Sequence, residues 1–177
     1  MTTMRRLSAV LLPTLATLVL AGGAVAAPRA ATNFVSPLSG DEEVPPVDTN
    51  ATGDAVYKLD EAAGELHFRL TVANIENVTQ AHIHCGAPGV NGPVVVFLFP
   101  DAPPPDPGVT VNGILAQGTR TNADVIPRPD SPACPGGVSN LDDVIAKMRG
   151  GGAYTNVHTV VNPGGEIRGQ IRSAGAN

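Results

Sequence analysis

The sequence predicts an all-β protein: an antiparallel, Greek-key-like β-sandwich with one short helix and long proline-rich loops. Composition is the first observation behind this fold class, because the 177 residues include 20 Gly and 17 Pro, the two residues least compatible with helices. The second is patterning, since short apolar or alternating runs are separated by turn residues. With 42% hydrophobic residues, the chain has enough apolar material for one core and one domain.

The first segment has the pattern of a secretory signal peptide. Two arginines precede an apolar run over residues 7–21, and the segment ends at Ala24-Val25-Ala26. The run is shorter than the roughly 20 residues that a membrane span requires. We therefore expect cleavage after Ala26 or Ala27, export to the extracellular side or the exterior of the cell envelope, and no stable membrane insertion of the mature chain.

Beyond residues 1–26, the sequence predicts a short linker over 27–35, one β-domain over 36–173 and a tail over 174–177. Loss of the signal peptide would leave 9 basic and 16 acidic residues, a net charge of −7. Nucleic acid requires a basic face, so this balance argues against a nucleic-acid partner. An unidentified protein or cell-surface partner is expected instead.

Several segments are predicted as strands. In 65–72, apolar and polar residues alternate, which indicates a strand with one buried face. The run Val94–Phe99 is apolar throughout and predicts a central strand covered on both faces. The remaining predicted strands are 53–60, 109–119, 153–161 and 166–172, the last two forming a hairpin around residues 162–165.

One helix is predicted over residues 139–149. Ser139 or Asn140 caps its start, acidic residues occupy its first turn and basic residues its last. Gly150 then ends it. By contrast, residues 100–135 contain nine of the 17 prolines and predict long irregular loops around one modest strand.

Cys85 and Cys134 are the only two cysteines in the chain. In an exported protein, an oxidising environment favours a disulfide between them. Closing a loop of about 50 residues would stabilise the fold by roughly 4 kcal/mol in the chain-entropy model. Two free thiols are the alternative.

Three of the four histidines form the candidate site. His82 and His84 are two residues apart on an extended segment, so they lie side by side on one face with Cα atoms about 6.5–7 Å apart. His158 lies on another predicted strand. Three imidazoles suit copper or zinc better than magnesium or calcium. The alternative is a hydrogen-bonded structural cluster without metal. His67, whose strand face is otherwise charged, is expected in solvent.

No catalytic motif stands out in the sequence. It lacks the Gly-x-Ser-x-Gly turn of serine hydrolases and a glycine-rich phosphate loop that opens a helix. The two cysteines suit a disulfide better than a thiol nucleophile. Whether the protein is an enzyme stays open at this point, and a non-enzymatic role is favoured.

Three blocks of the sequence resemble the CHRD (chordin) domain family. They run over residues 38–46, 81–95 and 153–171, in the family's order. The second contains His-Ile-His and the loop Pro-Gly-Val-Asn-Gly-Pro, and the third contains Asn-Pro-Gly-Gly-Glu-Ile-Arg-Gly. The resemblance covers roughly residues 36–172. It implies a secreted, β-rich module, one found alone in bacteria and in tandem in animal chordins, which bind growth factors. Growth-factor binding is not carried over to this single domain.

A weaker resemblance is to the copper–zinc superoxide dismutases. These place a His-x-His strand, a later histidine and an arginine near the C-terminus on a Greek-key sandwich, and His82, His84, His158 and Arg168 follow that order here. No histidine lies between positions 84 and 158, so the bridging-histidine and zinc-loop pattern is missing. The resemblance therefore implies a mononuclear copper site. Arg168 beside it would attract an anion, or would instead pair with Glu166 or an acidic loop.

Two functional hypotheses follow. The first is a secreted, single-domain CHRD protein that acts as a non-enzymatic binding module at or beyond the cell surface. The second is a mononuclear copper protein for storage, delivery or redox chemistry, which uses the three histidines, with Arg168 and Glu166 beside them. A purely structural extracellular protein is the third reading. The first hypothesis needs no cofactor, and the second needs copper.

Overall fold

The computed structural model describes residues 32–100 and 103–175; the predicted signal peptide lies outside them. Most of the described chain is antiparallel β-structure, so the predicted all-β fold with one α-helix is confirmed. The strands are β1 (Asn33–Ser39), β2 (Thr52–Asp60), β3 (Glu65–Cys85), β4 (Val94–Phe99), β5 (Val109–Arg120), β6 (Ala153–Thr159), β7 (Ile167–Gln170) and β8 (Arg172–Ser173), and the helix is α1 (Leu141–Arg149). Within the described residues, no helix has the length and apolar character needed to cross a membrane.

The strands join in one antiparallel sheet that closes on itself. The order is β2-β1-β7-β6-β3-β4, and β2 also pairs with β3. Strands β1, β2, β3, β6 and β7 therefore form a closed ring, which we call the ring. β5 pairs with β3, and β8 pairs with β1. The predicted hairpin near the C-terminus is present as β6 and β7.

β3 is the strand on which this closure depends. It is 21 residues long; its first half pairs with β2 and β5, and its second half with β6 and β4. Asn74 and Asn77 interrupt its register with φ values of 54° and 52°. Asparagine tolerates this left-handed conformation better than most residues. The sequence pattern showed only the first half, because these irregularities break the two-residue alternation.

Alternate side chains of the ring strands point inward and form the core. Phe34, Tyr57 and Phe68 are successive cross-strand partners on β1, β2 and β3, and all three are buried. The hydroxyl of Tyr57 is 2.8 Å from the Thr155 hydroxyl on β6, and burial raises the pKa of Tyr57. The core therefore includes one polar contact that is satisfied within the protein.

Helix α1 follows the predicted capping pattern. The side-chain oxygen of Asn140 accepts a hydrogen bond from the Asp143 N–H at 3.0 Å, so Asn140 is the N-cap. The helix ends before Gly150, and its apolar face is buried. It contacts β6 and β8.

The prediction that Val94–Phe99 is a central strand is wrong. β4 lies at the end of the sheet order, with β3 as its only strand partner in the described chain, and Phe97 is 38% exposed. Val95, Val96 and Leu98 face the core, whereas Phe97 packs against an imidazole on the outer side. Both sides of β4 therefore favour apolar residues, although only one side is fully covered.

The predicted disulfide between Cys85 and Cys134 is confirmed. Their Cα atoms are 5.4 Å apart, across a sequence separation of 49 residues. Both cysteines are buried. The bond joins the end of β3 to the irregular segment that precedes α1, and so secures the loop region to the sheet.

Replacing both cysteines with alanine should lower the free energy of unfolding by about 2–5 kcal/mol, because the unfolded chain would lose its cross-link. Urea denaturation measures this difference. In the unmodified protein, alkylation in denaturant without reductant should add no mass, and alkylation after reduction should add two groups. Two groups added without reductant, or an unchanged urea midpoint in the double variant, would contradict the assignment.

Candidate metal centre

The pairing of β3 with β6 brings the three candidate histidines together. His82 and His84 alternate with buried apolar residues of β3, so their imidazoles project from the outer side of the ring. In the antiparallel register His158 lies opposite Gln80, one step along the same face from His82. The structure thus places in one cluster the three histidines that the sequence selected. We call it the histidine cluster.

The ring nitrogens of the histidine cluster converge. One nitrogen from each residue lies within 4.8 Å of one nitrogen from each of the others. The shortest contact, between His82 Nδ1 and His158 Nε2, is 3.1 Å. Metal–nitrogen bonds are about 2.0–2.1 Å long. For all three imidazoles to bind one ion, the side chains would have to rotate so that bonds to the ion replace the contact between His82 and His158.

Two backbone carbonyls determine which nitrogens are free. His84 Nδ1 is 2.9 Å from the Gly92 oxygen, and His158 Nδ1 is 3.0 Å from the Pro163 oxygen. Because a carbonyl only accepts, both Nδ1 atoms carry the proton and both Nε2 atoms keep a lone pair. His82 Nδ1 then donates to His158 Nε2. In the described structure this leaves the Nε2 atoms of His82 and His84 buried without a hydrogen-bond partner.

Burial keeps the histidine cluster uncharged. Loss of solvent, with a smaller contribution from the neighbouring imidazoles, lowers the pKa of His82 to about 3. Loss of solvent likewise lowers the pKa of His84 to about 4 and lowers the pKa of His158. At neutral pH all three imidazoles are therefore neutral, which is the protonation state that binds metal.

Aromatic rings form the walls of the cluster. The Tyr154 ring stacks on His84 with centroids 4.7 Å apart, and the Phe97 ring meets His82 edge to face at 4.5 Å. These contacts limit rotation of two of the imidazoles. Tyr154 lies two residues from Asn156 and four from His158 on β6, so the two-residue alternation of a strand would have placed both on the face of His158.

Arg168 holds the loop that covers the cluster. Its guanidinium lies 3.6 Å above the Tyr154 ring and donates to the Asn91 side chain at 3.0 Å and to the Val90 oxygen at 2.8 Å. It is only 2% exposed. Its donors are thus directed at the loop over residues 86–93, which supplies the Gly92 carbonyl to His84.

The close approach of that loop requires glycine at position 92. A Cβ atom there would lie 1.7 Å from the carbonyl oxygen of Cys85. The Gly92 N–H also lies 3.1 Å from the Tyr154 hydroxyl, which accepts its hydrogen bond. Gly92 therefore packs against the disulfide-bonded end of β3, and its own carbonyl orients His84.

The acidic residues near the cluster have separate partners. Glu166 accepts hydrogen bonds from Thr49 and Thr159 at 2.8 and 2.7 Å, and not from Arg168. Glu43, in the loop after β1, accepts a hydrogen bond from Asn156 at 2.8 Å. Burial raises the pKa of the Glu43 carboxyl, and the positive charge of Arg168 partly opposes this shift. Sequence reasoning did not single out Glu43, because it sits within an exposed-looking acidic run.

His67 is apart from the cluster. It lies in the first half of β3, where its Nδ1 is 2.9 Å from the Thr119 hydroxyl and its Nε2 is 3.6 Å from a Glu65 carboxylate oxygen. In the described residues, no carboxylate, hydroxyl or thiol hydrogen-bonds to an imidazole of the histidine cluster. The arrangement therefore lacks the nucleophile–base pairing of hydrolases. Backbone carbonyls that orient imidazoles in this way are common in metal-binding sites.

The CHRD domain family model matches residues 34–171 of the chain. The matched region covers well over half of the sequence and contains the histidine cluster and both cysteines. No curated protein and no solved structure shows significant similarity to the chain.

Replacing Glu43 with glutamine should change how stability depends on pH. Burial raises the pKa of Glu43 from 4.5 to about 7, so the folded protein keeps a proton that the unfolded chain releases. The free energy of unfolding contributed by this group should therefore fall as the pH rises from about 4.5 to 7. The free energy of unfolding of the original protein should therefore fall by about 1–3 kcal/mol across this pH range because of Glu43, and Glu43→Gln should lack this fall.

Urea midpoints of the original protein and of Glu43→Gln, measured at several pH values, test this prediction. The histidines are the same in both proteins, so the difference between the two pH profiles isolates the contribution of Glu43. Glu42→Gln, at the exposed neighbouring position, is the matched control and should leave the pH profile unchanged. Parallel profiles for the original protein and Glu43→Gln would contradict the expected effect of burial.

Proposed function

Because the chain belongs to the CHRD domain family, we propose that it is a secreted, non-enzymatic binding module whose ligand is one copper ion held by His82, His84 and His158. The observation that carries this proposal is the convergence of three buried, neutral imidazoles, two of which have a nitrogen without a hydrogen-bond partner.

The unpartnered nitrogens favour a metal site over a purely structural cluster. Buried polar atoms are nearly always hydrogen-bonded, and an unsatisfied buried acceptor costs about 1–3 kcal/mol. A structural network would be expected to close, whereas Nε2 of His82 and Nε2 of His84 stay open within the described residues. A metal ion bound to these lone pairs would remove the cost.

The donor set favours copper. Three imidazoles without a carboxylate or thiolate ligand suit copper and zinc, and copper(II) binds such nitrogen sites more tightly in the Irving–Williams order. Zinc in structural sites is almost always bound by four ligands, and the histidine cluster offers three. The chain resembles the copper–zinc superoxide dismutases but lacks their zinc-loop pattern. This resemblance therefore also favours copper over zinc.

Burial favours holding or transferring the ion over turnover of a substrate. Each histidine of the cluster is at most 9% exposed, and the covering loop is held by Arg168. Because the donors of Arg168 are engaged with that loop, it is unsuited to attracting an anion from solvent. Storage or delivery of copper is therefore the role that we assign, in preference to redox catalysis.

Export is the second part of the proposal. The signal-peptide pattern of residues 1–26, the Cys85–Cys134 disulfide and the family all support a location outside the cytoplasm. Nothing in these features identifies a protein partner.

Titration of the purified mature protein with copper(I) and with copper(II) tests the metal site. We expect one equivalent to bind with sub-micromolar affinity in at least one oxidation state. Replacing His82 and His84 together with alanine should weaken binding by more than about 100-fold, because two of three ligands are lost.

His67→Ala is the matched control, since it removes an imidazole from the same strand but outside the cluster, and it should bind copper normally. Circular dichroism confirms that each variant is folded. Weak and equal binding by the original protein and by the double variant would refute the proposal. Stoichiometric binding of zinc in preference to copper would refute the choice of metal but not the site.

A further inference from the structure

The oxidation state of an ion in the histidine cluster depends on the charges that surround it. The three candidate ligands are neutral imidazoles, and in the described residues no carboxylate or thiolate hydrogen-bonds to them. The ligands therefore cancel none of the ion's charge, which is one unit for copper(I) and two units for copper(II).

Burial makes a charge at this position costly. Each histidine of the cluster is at most 9% exposed, and the open nitrogens of His82 and His84 are buried. The free energy needed to move an ion from water into a protein interior rises with the square of its charge, so a dication costs about four times as much as a monocation of equal size. Anionic ligands commonly offset this cost, and the cluster contains none.

Two arginines add positive charge next to His84. The guanidinium of Arg168 lies 3.6 Å above the Tyr154 ring, and that ring stacks on His84 with centroids 4.7 Å apart. Arg128 donates to the Val94 oxygen at 2.7 Å, and Val94 is the cross-strand partner of His84. Burial is the largest cause of the lowered pKa of His84, and the charges of both arginines lower that pKa further. The same charges repel copper(II) twice as strongly as copper(I).

Glu43 does not offset this positive charge. It is the only acidic residue that is buried in the described part of the chain. Burial raises its pKa to about 7, against the opposing charge of Arg168, so much of it is uncharged at neutral pH. Arg168, which is also buried, balances the charge that remains.

Glu166, the other carboxylate near this part of β6, is directed away from the ligands. Its oxygens accept hydrogen bonds from Thr49 and Thr159. Neighbouring residues of a strand point to opposite faces, so the side chain of Thr159 is on the other side of β6 from that of His158. The causes that shift the pKa of His158 are burial, which lowers it, and the Pro163 carbonyl, which raises it.

The number of donors also favours copper(I). Copper(II) with nitrogen and oxygen ligands prefers a square-planar or tetragonal arrangement, which needs at least four ligands, whereas copper(I) has a filled d shell and no such preference. The cluster offers three imidazoles. One more buried atom without a hydrogen-bond partner, Oδ1 of Asn156, belongs to the residue opposite His82. As a neutral amide oxygen, it would not offset the charge of a dication.

We propose, on the basis of the copper site proposed above, that the histidine cluster selects copper(I) over copper(II) and over zinc. It surrounds a buried ion with neutral donors and positive charge, and both features penalise a dication more than a monocation. The Irving–Williams order ranks divalent ions only, so it favours copper over zinc without deciding between the two oxidation states of copper. The ion that the protein stores or delivers is then reduced copper.

Anaerobic competition titrations at neutral pH, each against a chelator of known affinity, measure the dissociation constants for copper(I) and copper(II). We expect copper(I) to bind at least about 100-fold more tightly, which would raise the reduction potential of the bound ion above that of aqueous copper by about 120 mV, at 59 mV per factor of ten. Redox titration of the copper-loaded protein, followed by the electron paramagnetic resonance signal of copper(II), measures this shift independently.

Replacing Phe97 tests the electrostatic cause. Its ring contacts His82 and is 38% exposed, so Phe97→Glu adds a carboxylate beside the cluster, and Phe97→Gln is the matched uncharged control. Glutamate should reduce the preference for copper(I) by about tenfold or more relative to glutamine, because a negative charge attracts copper(II) twice as strongly.

A second pair of variants removes positive charge instead. Arg128→Gln should reduce the preference for copper(I) several-fold. Arg69→Gln makes the same change of charge at an exposed position in the first half of β3, and should alter the preference by less than about twofold. Circular dichroism shows whether each variant is folded.

The possible failures are distinguishable. Binding of copper(II) as tightly as copper(I), or more tightly, would overturn the selectivity while leaving the copper site in place. Equal preferences in Phe97→Glu and Phe97→Gln, with equal effects of Arg128→Gln and Arg69→Gln, would overturn its electrostatic cause. Failure of both ions to bind would refute the proposed function itself and the selectivity with it.

Discussion

The pairing of β3 with β6 is the interaction on which both the fold and the site depend. It closes the ring, since the first half of β3 already pairs with β2, and it places His158 on the same face as His82 and His84. A shift of one residue in this register would turn one strand's histidines toward the core. Cys85, at the end of the same strand, is held by the disulfide, so the covalent link and the strand pairing secure the same edge.

Two covering loops convert these neighbouring histidines into a defined donor set. The carbonyls of Gly92 and Pro163 each take the Nδ1 proton of an imidazole, and Arg168 and Tyr154 hold the first of these loops in place. Burial then keeps the imidazoles neutral, so lone pairs rather than charges face one another. The apolar side of the sheet stabilises the fold, whereas its outer polar side organises the site. Because the apolar core and the histidine cluster lie on opposite faces of the sheet, three imidazoles are buried without placing polar groups in the core.

The sequence predicted elements whose signals are local. The capped helix, the alternating first half of β3, the C-terminal hairpin and the shared face of His82 and His84 all follow from spacing along the chain. His158 joins that face through the pairing of β3 with β6. The position of β4 was not predictable, because an apolar run does not distinguish a central strand from an outer one that packs against an imidazole on its second side. Two further features depend on tertiary contacts that a short sequence pattern does not indicate. One is the continuity of β3 through Asn74 and Asn77, and the other is the burial of Glu43 against Asn156.

The central claim is that His84 and His158 present unprotonated Nε2 atoms toward one point at neutral pH. Long-range ¹H–¹⁵N NMR spectroscopy of the imidazoles, before and after one equivalent of diamagnetic copper(I), measures this directly. The structure predicts protonated Nδ1 and unprotonated Nε2 in both residues, with Nε2 resonances that move on addition of copper(I) while those of His67 do not. Protonated Nε2 atoms in the metal-free protein, or a response confined to His67, would contradict the account.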